Sequence, residues 1–190
     1  MSKKISNKTT PIELTAIVSE HLAAHGISAT LTGGTVVSIY TDNKYESGDL
    51  DYISPADHKE ILKVMEKIGY KPVPATSKNL HHNECPITVE FPARTLILGG
   101  QPEKVDHLEA IDGVQVKMLS PTQSVMDRLA GYIAWDDRQN LDQAEWICEK
   151  QPVDLEKVKR WAKKEGASAE QMKRIAERCE RGARKFNEAE

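Results

Sequence analysis

Asp49-Leu50-Asp51-Tyr52-Ile53 constrains this chain more than any other run of five residues. Two acids alternate with three large apolar side chains, the period of a strand with one polar face and one buried face. On such a strand Asp49 and Asp51 project side by side, with Leu50 and Tyr52 turned the other way. Two anions that close push up a carboxyl pKa unless a cation separates them. A divalent metal is the usual remedy, and Mg²⁺ is normally held by one or two carboxylates together with the phosphates of a substrate.

The residues just upstream suit such a substrate. A short apolar strand, Ser28 to Thr32, runs into a Gly33-Gly34 turn, and a helical segment follows with Thr35, Val36, Val37, Ile39 and Tyr40. Glycine has no Cβ, so the backbone can approach phosphate closely, and the free N–H groups of a helix start favour anions. Thr35 is placed to offer its hydroxyl and N–H to a phosphate. Ser47 reads equally well as a phosphate contact or as a turn residue bonded to its own backbone.

Gly33-Gly34-Thr35, the hydrophobic turn ending in Tyr40-Thr41, and Ser47-Gly48-Asp49-Leu50-Asp51 together resemble the signature of the polymerase-beta-like nucleotidyltransferase superfamily. The most similar branch is the minimal one of abortive-infection toxin-like nucleotidyltransferases and related uncharacterised bacterial proteins. The resemblance implies transfer of a nucleoside monophosphate from an NTP, ATP or GTP, to an acceptor that is an RNA such as tRNA, a protein or a small molecule. It also implies Mg²⁺ (or Mn²⁺), a toxin role with an antitoxin partner, and a third carboxylate on a later strand.

Glu90, in Ile87-Thr88-Val89-Glu90-Phe91 between Pro86 and Pro92, is the candidate for that third group. Its rival is Glu84, which sits beside His81, His82 and Asn83 on a less rigid loop. The catalytic and metal-binding set is therefore Asp49, Asp51 and Glu90. Nucleotide contacts fall to Gly33, Gly34, Thr35, Lys44, Ser47 and Arg128.

The chain departs from the pattern in three places. Fourteen residues separate Gly34 from Asp49, Tyr45 stands where relatives often carry arginine, with Lys44 beside it as a substitute, and the third carboxylate is Glu, not Asp. Arg128 falls in Asp127-Arg128-Leu129-Ala130, where relatives often have lysine, and its fork suits phosphate; its plainer role is to pair with Asp127. Arg138, Asp137 and Asp142 read as a structural ion-pair cluster. A nucleotide-binding or interaction module of the same fold, without turnover, is the alternative to an enzyme.

Composition narrows the remaining classes. The chain has 190 residues, 39% hydrophobic and 29% charged, enough for one domain or for one domain with a helical appendage. No apolar run approaches the ~20 residues that span a bilayer, and the polar start MSKKISNKTTP lacks a signal-peptide core, so the expectation is a cytoplasmic protein. Cys85, Cys148 and Cys179 are odd in number and lack a C-x-x-C pair, which argues against a disulfide framework and structural zinc. Adjacent His81 and His82 have no second ligand pair at zinc spacing. A net charge of −3 excludes a broadly basic nucleic-acid surface, and the basic run from Lys173 to Lys185 is interleaved with glutamates as on a solvated helix face.

Along the chain, residues 1 to 9 are expected to be disordered. Thr10-Pro11-Ile12-Glu13 opens a helix that ends at Gly26, and Ser54-Pro55-Ala56-Asp57 opens a second that ends at Gly69. Pro72 and Pro74 mark a loop, and residues 75 to 86 read as a short helix or irregular segment. Thr95 to Leu98 is a strand or packed loop, and Val114 to Leu119 a strand. Four helices are expected thereafter, near 120–133, 137–150, 154–165 and 169–187. This order predicts an α+β (α/β) fold: a nucleotidyltransferase-like mixed sheet flanked by helices over 1–119, with a C-terminal helical region, 120–190, packed on it as one unit.

Overall fold

The computed structural model describes residues 4–73 and 76–189. Its fold is α+β, combining helices with a mixed five-stranded sheet. The chain divides into two compact units, one made of Met1–Thr35, Glu46–Leu96 and Lys104–Met118, the other of Val36–Tyr45, Ile97–Glu103 and Leu119–Glu190.

In the first unit, α1 (Pro11–Ala24) begins at a capping box. Thr10 N–H donates to Glu13 Oε2 at 3.0 Å and Glu13 N–H donates back to Thr10 Oγ1 at 3.2 Å, with Pro11 in the first turn. The sheet orders as β1-β2-β5-β4-β3 and is built from β1 (Thr30–Thr32), β2 (Asp49–Ile53), β3 (Tyr70–Val73), β4 (Thr76–His82) and β5 (Cys85–Glu90). Only the β2–β5 pair is parallel; the others are antiparallel. One sheet face carries Leu31, Leu50, Tyr52, Leu80 and Val89, each fully buried. Helix α1 covers it: the Tyr52 hydroxyl lies 2.9 Å from Ser19 Oγ and donates to Thr15 O at 3.3 Å. Helix α3 (His58–Glu66) is tied to α1 through His21 Nε2, 2.9 Å from Val64 O. A hairpin of β8 (Leu108–Ile111) and β9 (Val114–Lys117) completes the unit.

The second unit holds Val36–Tyr40 of α2 (Gly33–Tyr40), the short pair β6 (Ile97–Leu98) and β7 (Gln101–Pro102), and helices α4 (Pro121–Trp135), α5 (Arg138–Cys148), α6 (Leu155–Lys164) and α7 (Ala169–Ala189). Ser120 and Gln123 form a second capping box, with Pro121 in the first turn. Glu145 is a buried charge of this unit. It accepts from Arg181 at 2.6 and 2.7 Å and is also bonded to Arg178, which reaches Asp142 as well.

Several expectations are corrected. Residues 76–82 form a strand, not a helix or irregular segment; Pro74 and Ala75 lie outside the described residues. The alternation there is hard to read because Asn79, His81 and His82 are polar, yet β4 lies between β3 and β5 and Leu80 is its buried anchor. Residues 70–73 pair at the sheet edge instead of looping, a position that tolerates Pro72. Ile5 is 7% exposed, so the start of the chain is docked from there; residues 1–3 lie outside the described set. Helix α3 begins at His58, since Asp57 caps Lys59 N–H at 2.9 Å while the Ser54 hydroxyl is spent on Ser28 O at 2.7 Å. The diglycine is the first turn of α2 and not a bend before it.

Candidate active site

The first unit brings the acidic residues to one sheet face by register. Thr32 pairs with Asp51, Asp51 with Glu90, and Glu90 with Asn79, giving a polar row across β1, β2, β5 and β4. Asp49 pairs with Thr88 one step back along the strands, so its carboxylate stands on the same face. All three carboxylates are half-buried.

Each carboxylate has its own support. Asp49 Oδ1 accepts from Ser47 Oγ at 2.8 Å. Glu90 Oε1 accepts from Asn79 Nδ2 at 2.7 Å. Asp51 lies against the start of α2: a Cβ on Gly33 would come within 2.1 Å of Asp51 Oδ2, and Gly33 has φ +69°. Both facts demand glycine there. The partners of Asp49 and Glu90 are thus a neutral hydroxyl and a neutral amide. Burial, and after it the negative charge of Asp49, holds the Glu90 carboxyl above its usual range.

The other expected contacts are engaged within the protein. Thr35 is fully buried and its hydroxyl donates to Asp49 O at 2.5 Å, tying α2 to β2. Ser47 Oγ also reaches Asp49 O at 3.1 Å, so its hydroxyl orients the acidic strand. Lys44 and Arg128 belong to the second unit. Lys44 Nζ pairs with Glu149 Oε2 at 2.7 Å and lies 4.9 Å from the centre of the Trp146 ring. Arg128 grips Asp127 at 2.5 Å and also reaches Asn140 and Gln143. Asp137 caps α5, and Asp142 pairs with Arg178. Glu84 pairs with Lys4 at 3.7 Å in the turn between β4 and β5.

Among the described residues, no three His, Cys, Asp or Glu side chains converge as a ready-made metal cage. The donor set on this face is all oxygen, which suits a hard cation that completes its shell from phosphate and water. Asn79 and Thr32 were not legible as members of the site. Only the strand register places them beside Glu90 and Asp51, and nothing in their local sequence signals it.

The α+β fold of this chain is not unique to it. Two solved structures share it. One is an antigenic nucleotidyltransferase-like protein from Paracoccidioides brasiliensis, at TM-score 0.58 and 11% identity, covering 88% of this chain and 94% of that one. The other is the antibiotic-resistance factor ANT(2'')-Ia, at TM-score 0.51 and 11% identity, covering 94% and 96%. No family model matches the chain and no curated protein matches it in sequence. At this identity the likeness establishes the fold.

Proposed function

We propose that the protein is a metal-dependent nucleotidyltransferase that moves a nucleoside monophosphate from an NTP to an acceptor hydroxyl. The observation that carries this reading is the shared face of Asp49, Asp51 and Glu90, set against the glycine-opened start of α2. Asp49 and Asp51 would hold Mg²⁺ or Mn²⁺, with Glu90 beside them. When bound, the metal neutralises triphosphate charge and steadies the attacking and leaving oxygens.

The chain's own residues supply the rest. Gly33 and Gly34 at the start of α2 give the phosphates a backbone without Cβ atoms to approach. Glu90 Oε1 is held by Asn79, which leaves Oε2 to take the acceptor's proton. The new bond joins the acceptor oxygen to the α-phosphorus, and pyrophosphate departs. The toxin-like resemblance extends this reading to RNA or protein acceptors and an antitoxin partner. Growth arrest on expression, relieved by a neighbouring gene product, would support that extension.

A second reading, nucleotide binding without turnover, is favoured by Lys44 and Arg128, whose charges are engaged by Glu149 and Asp127. Incubation with each labelled NTP, Mg²⁺ and total RNA or lysate separates the two. Transfer of label that is lost in both Asp49→Asn and Asp51→Asn supports the enzyme, and label retained in either variant defeats it.

A further inference from the structure

On the helix-covered side of the same sheet, a cleft of about 360 Å³ opens where the chain leaves β2 and β5. Its floor is Ile61 and Phe91, both nearly buried, with Phe91 stacked on Tyr52 at 5.9 Å between ring centres. Lys78 and Arg94 line it, and both cations are exposed. Each is held in place by a backbone carbonyl: Lys78 Nζ donates to Pro92 O at 2.9 Å and Arg94 donates to Pro55 O at 2.6 Å. Among the described residues neither is paired with a carboxylate. Asp57, which lies between the lining residues Ala56 and His58, is turned to Lys59 N–H as the cap of α3, so the site rests on the side-chain cations.

Two positive charges fixed at one cleft, with donors left over on both, match a doubly charged group better than a singly charged one. A phosphomonoester carries about −1.5 to −2 near neutral pH and three acceptor oxygens. A carboxylate or a phosphodiester carries one charge. Guanidinium is suited to such oxygens in pairs, and the ammonium adds a point charge. The apolar floor, in a cleft larger than a phosphate, accommodates a compact organic body. From this geometry we infer that the cleft formed by Lys78, Arg94, Ile61 and Phe91 binds a phosphomonoester. The source is a free mononucleotide or the terminal phosphate of a nucleic acid. The site lies on the opposite sheet face from the carboxylates, and the inference stands whether or not they catalyse transfer.

The test is titration of the full chain with phenyl phosphate in EDTA, which removes any metal-bridged binding at the acidic face, followed by ³¹P NMR. Each charge-assisted contact contributes about tenfold in affinity, so Lys78→Gln and Arg94→Gln each weaken binding about tenfold and the double variant more. Lys78→Arg, which keeps the charge, retains binding and guards against misfolding. A nucleoside 5′-monophosphate and an RNA oligonucleotide with a 5′-terminal phosphate identify the source by the tighter of the two. Absence of binding, benzoate binding as well as phenyl phosphate, 5′-hydroxyl RNA binding as well as its phosphorylated form, or a double variant that binds undiminished would each overturn the inference.

Discussion

Glu145 of α5 lies against two guanidinium groups, whereas Glu90 of β5 shares its sheet face with other carboxylates. Burial raises the proton affinity of Glu145, but the hydrogen bonds from Arg181 and Arg178 more than reverse this and leave it below the usual carboxylate range. Glu149, one turn further on, behaves alike between Lys185 at 2.5 Å and Lys44. For Glu90 burial and Asp49 act in the same direction, upward. Helical acids have their counter-cations built into the chain, so their charge is structural. Asp49 and Glu90 of the sheet are supported by a neutral hydroxyl and a neutral amide instead.

That contrast breaks first, and by the largest margin, at Glu145. Glu145→Ala leaves Arg178 and Arg181 facing each other, with Asp142 bonded to Arg178 and Glu149 acting on Arg181 without a bond. The expected cost is about 3 kcal/mol, the low end for a broken buried pair because Arg181 remains half exposed. Urea unfolding measures it, and a loss under 1 kcal/mol would show that the cluster is ornamental.

Asp49→Asn should act in the opposite sense. It removes like-charge repulsion from Glu90, so the folded protein is not weakened, while labelling falls about 10²–10³-fold as for loss of one preorganised electrostatic group. Unfolding and labelling run on one preparation decide the point, and a stability loss as large as that of Glu145→Ala would erase the difference between the two regions.

Gly33→Ala tests the approach of Asp51 to α2. Left-handed φ and the 2.1 Å clash together predict a loss of about 1–3 kcal/mol, with labelling reduced as Asp51 is displaced.

The pH dependence sharpens the comparison with a smaller signal. Glu145 is depressed, so its contribution is present above the ordinary carboxylate range and disappears as pH falls through its folded value. Glu90 is raised, so its contribution is fullest below its ordinary value and is lost as pH rises through the folded one. Carbon-detected NMR titration should therefore place Glu90 above and Glu145 below an exposed glutamate. Asp49→Asn should move Glu90 down and leave Glu145 where it is.

The smallest effect is expected at Arg174→Ala. Its partner Glu170 is one turn away on an exposed helix face, and the melting temperature should hardly move.

The parts of this protein legible in sequence are those whose cause is local. Capping boxes at Thr10 and Ser120 announce α1 and α4 because the residues that bond are three apart. Alternation in 49–53 announces a strand with acids on one face because side-chain direction follows the backbone period. By contrast, β3 and β4 carry polar or proline-interrupted sequences and become strands only because neighbouring strands satisfy their backbones. Asp51 against Gly33, Glu90 held by Asn79, and Glu145 between Arg178 and Arg181 depend on residues 18, 11 and 33 to 36 positions apart. Sequence alone sets which residues bring charge to the polar face of the sheet. Which charges are neutralised inside the protein was decided by strand register and helix packing, because only a folded chain sets the distances over which charges act.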